Sequence, residues 1–255
     1  MKQILLETYF WYFLCYSFIG YLCEIIYCSI PAKRFVNRGF LHGPYLPVYG
    51  FGGLAVIVIL SPLKSSPVLV FILGMLITSL VEYIAGFLLE TIFDTRLWNY
   101  SHYRFHIRGR VCVVNTLLFG LLAVGSIYLI HPFIEKLLAL FPNYLRTVGA
   151  FVMLMIMTVD TTVSAFNLLL FTETVGRLQR LKEILESPLN RVTQSHQRFV
   201  ELLEKERAQI QEQLRKSGKR LFDAFPGMHS PAALDGQFKL IREMIKERRE
   251  KRKKK

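Results

Sequence analysis

The 255-residue chain has four cysteines, and none stands in a CxxC pair or at a Cys/His metal spacing. That excludes a disulfide framework or zinc site as an organising device and leaves Cys15, Cys23, Cys28 and Cys112 as small packing residues. There is no GxxxxGK[ST] loop to hold a nucleotide and no GxSxG or HExxH motif to support a hydrolase, so no metal or other cofactor is expected. The first apolar run has only Lys2 before it and no small-residue cleavage site after it, so no cleavable leader is expected. Acidic side chains are few, 19 against 32 Lys and Arg, which gives their positions weight.

The chain does have long apolar runs, and they cover residues 9–30, 44–60, 67–93, 111–130 and 148–171. A bilayer core about 30 Å thick takes about 20 helical residues at 1.5 Å each. The runs therefore predict an all-α, multi-pass membrane bundle of about five spans. The second run is short, which predicts little tilt or a partly re-entrant path; the third is long enough for its ends to emerge among the headgroups. Lys33, Arg34 and Arg38 follow the first run and Arg96, Arg104, Arg108 and Arg110 follow the third, while the intervening connections carry Lys64 alone and Lys136 with Arg146. Basic loops stay cytoplasmic, so the alternation predicts the N-terminus outside and the C-terminus inside.

Residues 172–255 form a separate cytosolic, basic, helical tail with 21 Lys and Arg against 12 Asp and Glu, and residues 1–171 form the transmembrane domain. The excess charge fits anionic lipid at the membrane surface, and no nucleic-acid partner is expected. Leu178, Leu181, Leu185, Val192, Phe199, Leu202, Leu203, Ile210 and Leu214 recur mostly at three, four and seven residues, an amphipathic-helix pattern. Ser187-Pro188 interrupts it, residues 219–231 are turn-rich, and a basic helix from about Leu234 ends in five consecutive Lys and Arg residues. The tail reads either as a solvated helical hairpin or as a docking element for a cytosolic partner or the membrane surface.

Four carboxylates, Glu24, Glu82, Glu90 and Asp160, lie in or at the edge of the apolar runs and are the candidates for a substrate or ion site. Gly74, Thr78, Glu82, Gly86 and Glu90 follow four-residue steps, a stripe that drifts about 40° per step and gives one small, polar helix face. Ser17, Gly20, Glu24 and Cys28 make a comparable face on the first run, and Asp160, Ser164 and Asn167 on the fifth, so these three helices are expected to pack their polar faces together. Glu82 and Asp160 fall about 16 Å from the cytosolic ends of their runs, Glu24 about 9 Å and Glu90 about 5 Å, within reach of Arg96. Two roles stay open: hydrogen bonds between helices or salt bridges to Arg38, Arg108 or Arg110, and the binding or movement of a cation, proton or cationic solute.

Residues 37–50 contain three glycines and two prolines, which oppose regular helix and predict that the second span becomes regular only after Pro47. Asn37, Arg38, Gly39, Gly43, Pro44 and Tyr49 are its gate candidates, and His42 is a lone titratable group. Trp98, Arg108 and Arg110 lie in the loop after the third run, where an anionic headgroup or phosphate could be held.

Phe18-Ile19-Gly20 with Glu24, Asn37-Arg38-Gly39-Phe40-Leu41, Gly43-Pro44, Pro47-Val48-Tyr49-Gly50, Glu82-Tyr83 with Glu90, Trp98-Asn99-Tyr100-Ser101, Gly109-Arg110-Val111-Cys112 and Asp160 resemble, in order and spacing over about residues 10–170, a bacterial family labelled ABC-transporter permease, type IV. The resemblance implies a permease subunit served by a separate ATPase. The chain departs from the family at Asn99, where an Asp usually follows the Trp, and around residues 115–120, where a Trp-Gly pair is usual. The leading expectation is a transporter or permease subunit with an acid-lined polar site open to the cytosol. The alternative is a membrane scaffold or regulator that recruits a cytosolic partner through its tail. A third reading is an enzyme acting on lipid headgroups. The expected partners are the lipid bilayer, the separate ATPase and a second copy of the chain.

Overall fold

The computed structural model describes residues 2–186, 194–225, 227–229 and 235–253. The Ser187-Pro188 interruption, Val192, Pro226, residues 230–234 and the last two lysines lie outside them. The chain is an all-α membrane bundle: α1 (Lys2–Ala32), α2 (Pro47–Leu60), α3 (Pro67–Phe93), α4 (Val113–Gly125), α5 (His131–Ala139), α6 (Asn143–Glu186), α7 (Gln194–Ala224) and α8 (Asp235–Lys253). Its only paired strands among the described residues are β1 (His106–Ile107) and β2 (Val111–Cys112), antiparallel across a tight turn with Arg108 and Gly109 at positive φ.

Four stretches are long and apolar enough to cross a membrane: Leu5–Ile30, Pro67–Phe93, Val113–Ala139 and Asn143–Ile184; the apolar helix Pro47–Leu63 is shorter. At most 28% of any of these four is buried within the protein, and large side chains such as Leu76, Leu80, Ile92, Leu121, Phe151 and Val159 face outward. That distribution suits a solvent of lipid tails. The apolar run that begins at Val111 does not stop at Ile130 but continues through α5. Its ladder widens to a π-helical turn over Ser126–Ile130, just ahead of Pro132, whose missing N–H and ring disturb the preceding turn.

Two compact units divide the chain. The first comprises residues 1–88 and 99–164. Glycines let its helices touch: a Cβ on Gly50 would lie 2.3 Å from Ser17 Oγ, and one on Gly74 2.5 Å from Ala123 Cβ. Ser79 and Thr116 hydrogen-bond between α3 and α4 at 2.8 Å. The core joins Tyr16 of α1, Val56 and Leu60 of α2, Val70 of α3, Ala123 of α4 and Ile134 of α5. At one end Glu7 accepts from Thr147 Oγ1 at 2.5 Å and pairs with Arg146.

The second unit comprises residues 89–98 and 165–255. The composition changes at Phe171 but the helix does not, and α6 runs on to Glu186. Phe171, Phe222 and Phe238 form a ring of edge-to-face contacts with centroids 5.7–6.0 Å apart. Leu178, Leu214, Met228 and Ile241 are buried in this unit. Phe222 keeps α7 helical through Ala224, into the stretch whose composition reads as a turn. Arg96 and His229 exchange both backbone hydrogen bonds, so the chain after α3 and the chain after α7 are tied within this unit.

Candidate functional site

The short α2 determines the site's architecture. Its start is fixed by Pro47 at the first helical position, and Leu46 N–H, just before it, donates to Ser17 O at 3.0 Å, midway along α1. Ser17 lies about 22 Å of helix before the end of α1, so residues 33–46 turn back and descend beside α1 as irregular backbone. Such backbone must find partners within the protein at membrane depth. Val36 N–H donates to Ser29 Oγ, Gly39 N–H to Asn37 Oδ1, and the N–H groups of His42 and Gly43 both donate to the Asp160 carboxylate, at 2.9 and 2.8 Å.

Asp160 therefore fastens the loop to α6. Its Oδ2 also accepts from Tyr45 OH at 2.6 Å, and its Oδ1 lies 3.0 Å from His42 Nδ1 and 3.2 Å from Ser164 Oγ. Both oxygens are occupied, and the carboxylate sits in an open groove of about 980 Å³ between α1 and α6. Pro44 lines that groove.

Glu24 and Glu82 form a second group, separate from Asp160. Gly20 admits the Tyr49 ring against α1, where a Cβ would stand 2.2 Å from Tyr49 Cγ, and Tyr49 OH then donates to Glu24 Oε1 at 2.9 Å. Arg38 reaches into the same place: Nη1 lies 3.0 Å from Cys28 Sγ and Nε 3.9 Å from Glu24 Oε2. Tyr100, from the loop after α3, donates to Glu82 Oε1 at 3.1 Å. Burial and the neighbouring Glu82 and Glu24 hold the Tyr100 phenol far above its ordinary range, so it remains a donor. Burial works against the charge of Arg38, but Glu24, Cys28 and Tyr100 outweigh it and raise the guanidinium above its usual value. Glu82 is 6% exposed, and its Oε2 is buried without a hydrogen-bond partner.

The remaining candidates stand apart. Glu90, in the second unit, receives Arg96 as a fork at 2.8 and 2.6 Å, a charge-assisted bidentate pair. Trp98 is half-buried in that unit. Arg110 donates to Tyr83 OH at 3.0 Å and lies over the Tyr83 and Phe87 rings, and Arg108 is exposed on the turn between β1 and β2. Asn99 Oδ1 accepts from Ser101 N–H and Oγ, a turn contact in which an Asp would serve equally. Among the described residues no cluster of three or more His, Cys, Asp and Glu side chains is arranged to hold a metal. The expected meeting of three polar helix faces resolves into three places: Glu24 with Glu82, Asp160 with the descending loop, and Glu90 with Arg96.

Several partners carried little sequence signal. In the sequence Tyr100 stands only within the stretch Trp98-Asn99-Tyr100-Ser101, Tyr45 only within the loop of residues 37–50, and Tyr16 as one apolar-run residue among many. The family described as "Putative ABC-transporter type IV" matches residues 11–165. No curated protein and no solved structure matches the chain.

Proposed function

The chain belongs to that family, and from this premise we propose that it is a permease subunit whose polar site is built on Glu24 and Glu82, with Arg38 and the loop of residues 33–46 as its gate. The observation that carries the reading is the descending loop. It starts α2 at mid-depth and brings Arg38 and Tyr49 to Glu24, close to Glu82, a buried carboxylate that Tyr100 holds by one oxygen and whose other oxygen is unpartnered. Buried acids at membrane depth default to substrate, ion or proton pathways. In this reading α2 with its short extension counts as a fifth span. The basic loops lie in the cytoplasm of a bacterial cell with the N-terminus outside, and the site opens to the cytosol. Asp160 and Glu90 act as fasteners. Nucleotide hydrolysis is supplied by a separate ATPase, since this chain has no phosphate-binding loop.

The test is affinity isolation of the tagged protein from native membranes, with bound proteins identified and ATPase activity assayed. A stoichiometric nucleotide-binding subunit supports the reading; protein recovered alone removes the ATPase from it. If both Glu24→Gln and Glu82→Gln preserve expression and every transport-linked phenotype of a deletion strain, the polar site is refuted.

One observation favours a second reading, a scaffold that recruits a cytosolic partner. The second unit closes its own aromatic core around Phe171, Phe222 and Phe238 instead of leaving its helices solvated all round. A scaffold loses all function when α7 and α8 are deleted, whereas a transporter core keeps substrate binding.

A further inference from the structure

A half-open cavity of about 70 Å³ lies within the first unit, and Tyr16, Tyr49, Thr78, Glu82, Phe119 and Ser126 are among its walls. Two of these side chains are more than nine-tenths buried and carry an unpartnered polar atom: Glu82 at Oε2 and Tyr16, 4% exposed, at its hydroxyl. Orphaned polar atoms at that depth are costly unless something completes them.

The charges around Glu82 define what is missing. From α1 it faces Glu24, from α2 the Tyr49 ring, and from the loop after α3 the Tyr100 hydroxyl that holds Oε1; α4 contributes the uncharged Phe119 and the π-helical turn after it Ser126. Arg38 is committed to Glu24 and Cys28, and no Lys, Arg or His of the described residues pairs with Glu82. Glu82 Oε2 is thus left with neither a cation nor a hydrogen-bond donor beside it among the described residues.

The walls narrow the choice. A bare divalent ion takes six or more oxygens, which walls made mostly of apolar residues do not supply. An ammonium group instead donates hydrogen bonds, which Glu82 Oε2 and the Tyr16 hydroxyl can accept, and it is attracted to aromatic rings such as those of Tyr16, Tyr49 and Phe119. The volume equals little more than two waters at about 30 Å³ each, which favours a small ligand.

We infer that this cavity binds one small ammonium-type cation, ammonium itself or a short primary amine, with Glu82 as its counter-ion and the Tyr16 hydroxyl as a second acceptor. The inference rests on the reading of Glu24 and Glu82 as a permease's polar site, and it names the class of substrate that site takes.

The experiment measures thermal unfolding of the purified full chain in lipid nanodiscs at constant ionic strength, with ammonium, methylammonium, sodium or tetraethylammonium chloride. The expected result is a saturable rise in Tm with ammonium and methylammonium only. Glu82→Gln abolishes it, and Tyr16→Phe weakens the half-saturating concentration about fivefold, the equivalent of one hydrogen bond. Should Glu82→Gln fail to fold, Tyr16→Phe carries the test. A response shared by sodium or tetraethylammonium, one that persists unchanged in the variants, or a Tm that follows pH but no cation overturns the inference. Uptake of labelled methylammonium into proteoliposomes separates the two readings. Binding without uptake keeps the cation site and removes transport; movement of another solute without ammonium binding does the reverse.

Discussion

Asp160→Ala is the sharpest perturbation of the fold that the geometry offers. The substitution strands the backbone N–H of His42 and of Gly43 and the hydroxyl of Tyr45, all now held by one carboxylate at 2.6–2.9 Å. A buried donor left without a partner costs about 1–3 kcal/mol, and a carboxylate acceptor makes the lost bonds about twice as strong as neutral ones. The His42 ring is half exposed, so part of its loss is recovered from solvent. The sum is about 3–5 kcal/mol, or about 10 °C in Tm for a chain of this size. Asp160→Asn retains one acceptor but turns an NH₂ group toward the remaining donors, and is expected to lose about half as much. Fluorescence-detected size-exclusion after heating gives the two Tm values, and limited proteolysis reports whether residues 33–46 have come loose. An Asp160→Ala protein within about 2 °C of the parent would refute the fastener, as would an Asn variant less stable than the Ala variant.

Gly20→Ala places a Cβ 2.2 Å from Tyr49 Cγ, so it should cost about 2 kcal/mol by displacing the ring and breaking its bond to Glu24. The penalty should largely vanish in a Tyr49→Ala background, a double-mutant cycle that checks the cause. Arg96→Lys keeps the charge but not the fork on Glu90, whose side chain is 16% exposed, and should cost about 1–2 kcal/mol. Faster protease cleavage within α7 or α8 is the readout. The folded state holds the Tyr100 phenol above its ordinary value of about 10, so its contribution is complete below that pH and falls away as pH rises beyond it and the unfolded chain ionises. Phenolate absorbance of the folded protein at about pH 11 should accordingly be the same in Tyr100→Phe.

What could be read from the sequence was whatever local chemistry dictates. Pro47 and Pro67 sit at the first positions of their helices because a missing N–H is harmless there, and the apolar runs face lipid because nothing else in the cell would suit them. The change of composition at Phe171 marks a change of surroundings, but α6 continues because nothing in that stretch forbids helical backbone. The pairing of Glu90 with Arg96 is local, six residues apart, and could be anticipated. Asp160 with His42 joins residues 118 apart, and the depth estimate that put Asp160 level with Glu82 had no means of separating them around the bundle. Depth follows from residue count; azimuth needs the packing, which the glycine contacts Gly20–Tyr49 and Gly74–Ala123 set.

A single cause underlies the arrangement of the acids. Because α2 begins at mid-depth, the chain before it must cross half the bundle without a helical ladder, and its N–H groups need acceptors there. Asp160 supplies them, and its capacity is exhausted in doing so. The same descent brings Arg38 and Tyr49 to Glu24, which is thereby matched in charge. Glu90 is matched by Arg96. Glu82 alone of the four keeps a buried oxygen without a partner, and it does so on the wall of a cavity. On the proposed reading that oxygen is where the ligand binds, and substitution at Glu82 should alter binding in a way that substitution at Asp160 or Glu90, which loosens the scaffold, does not.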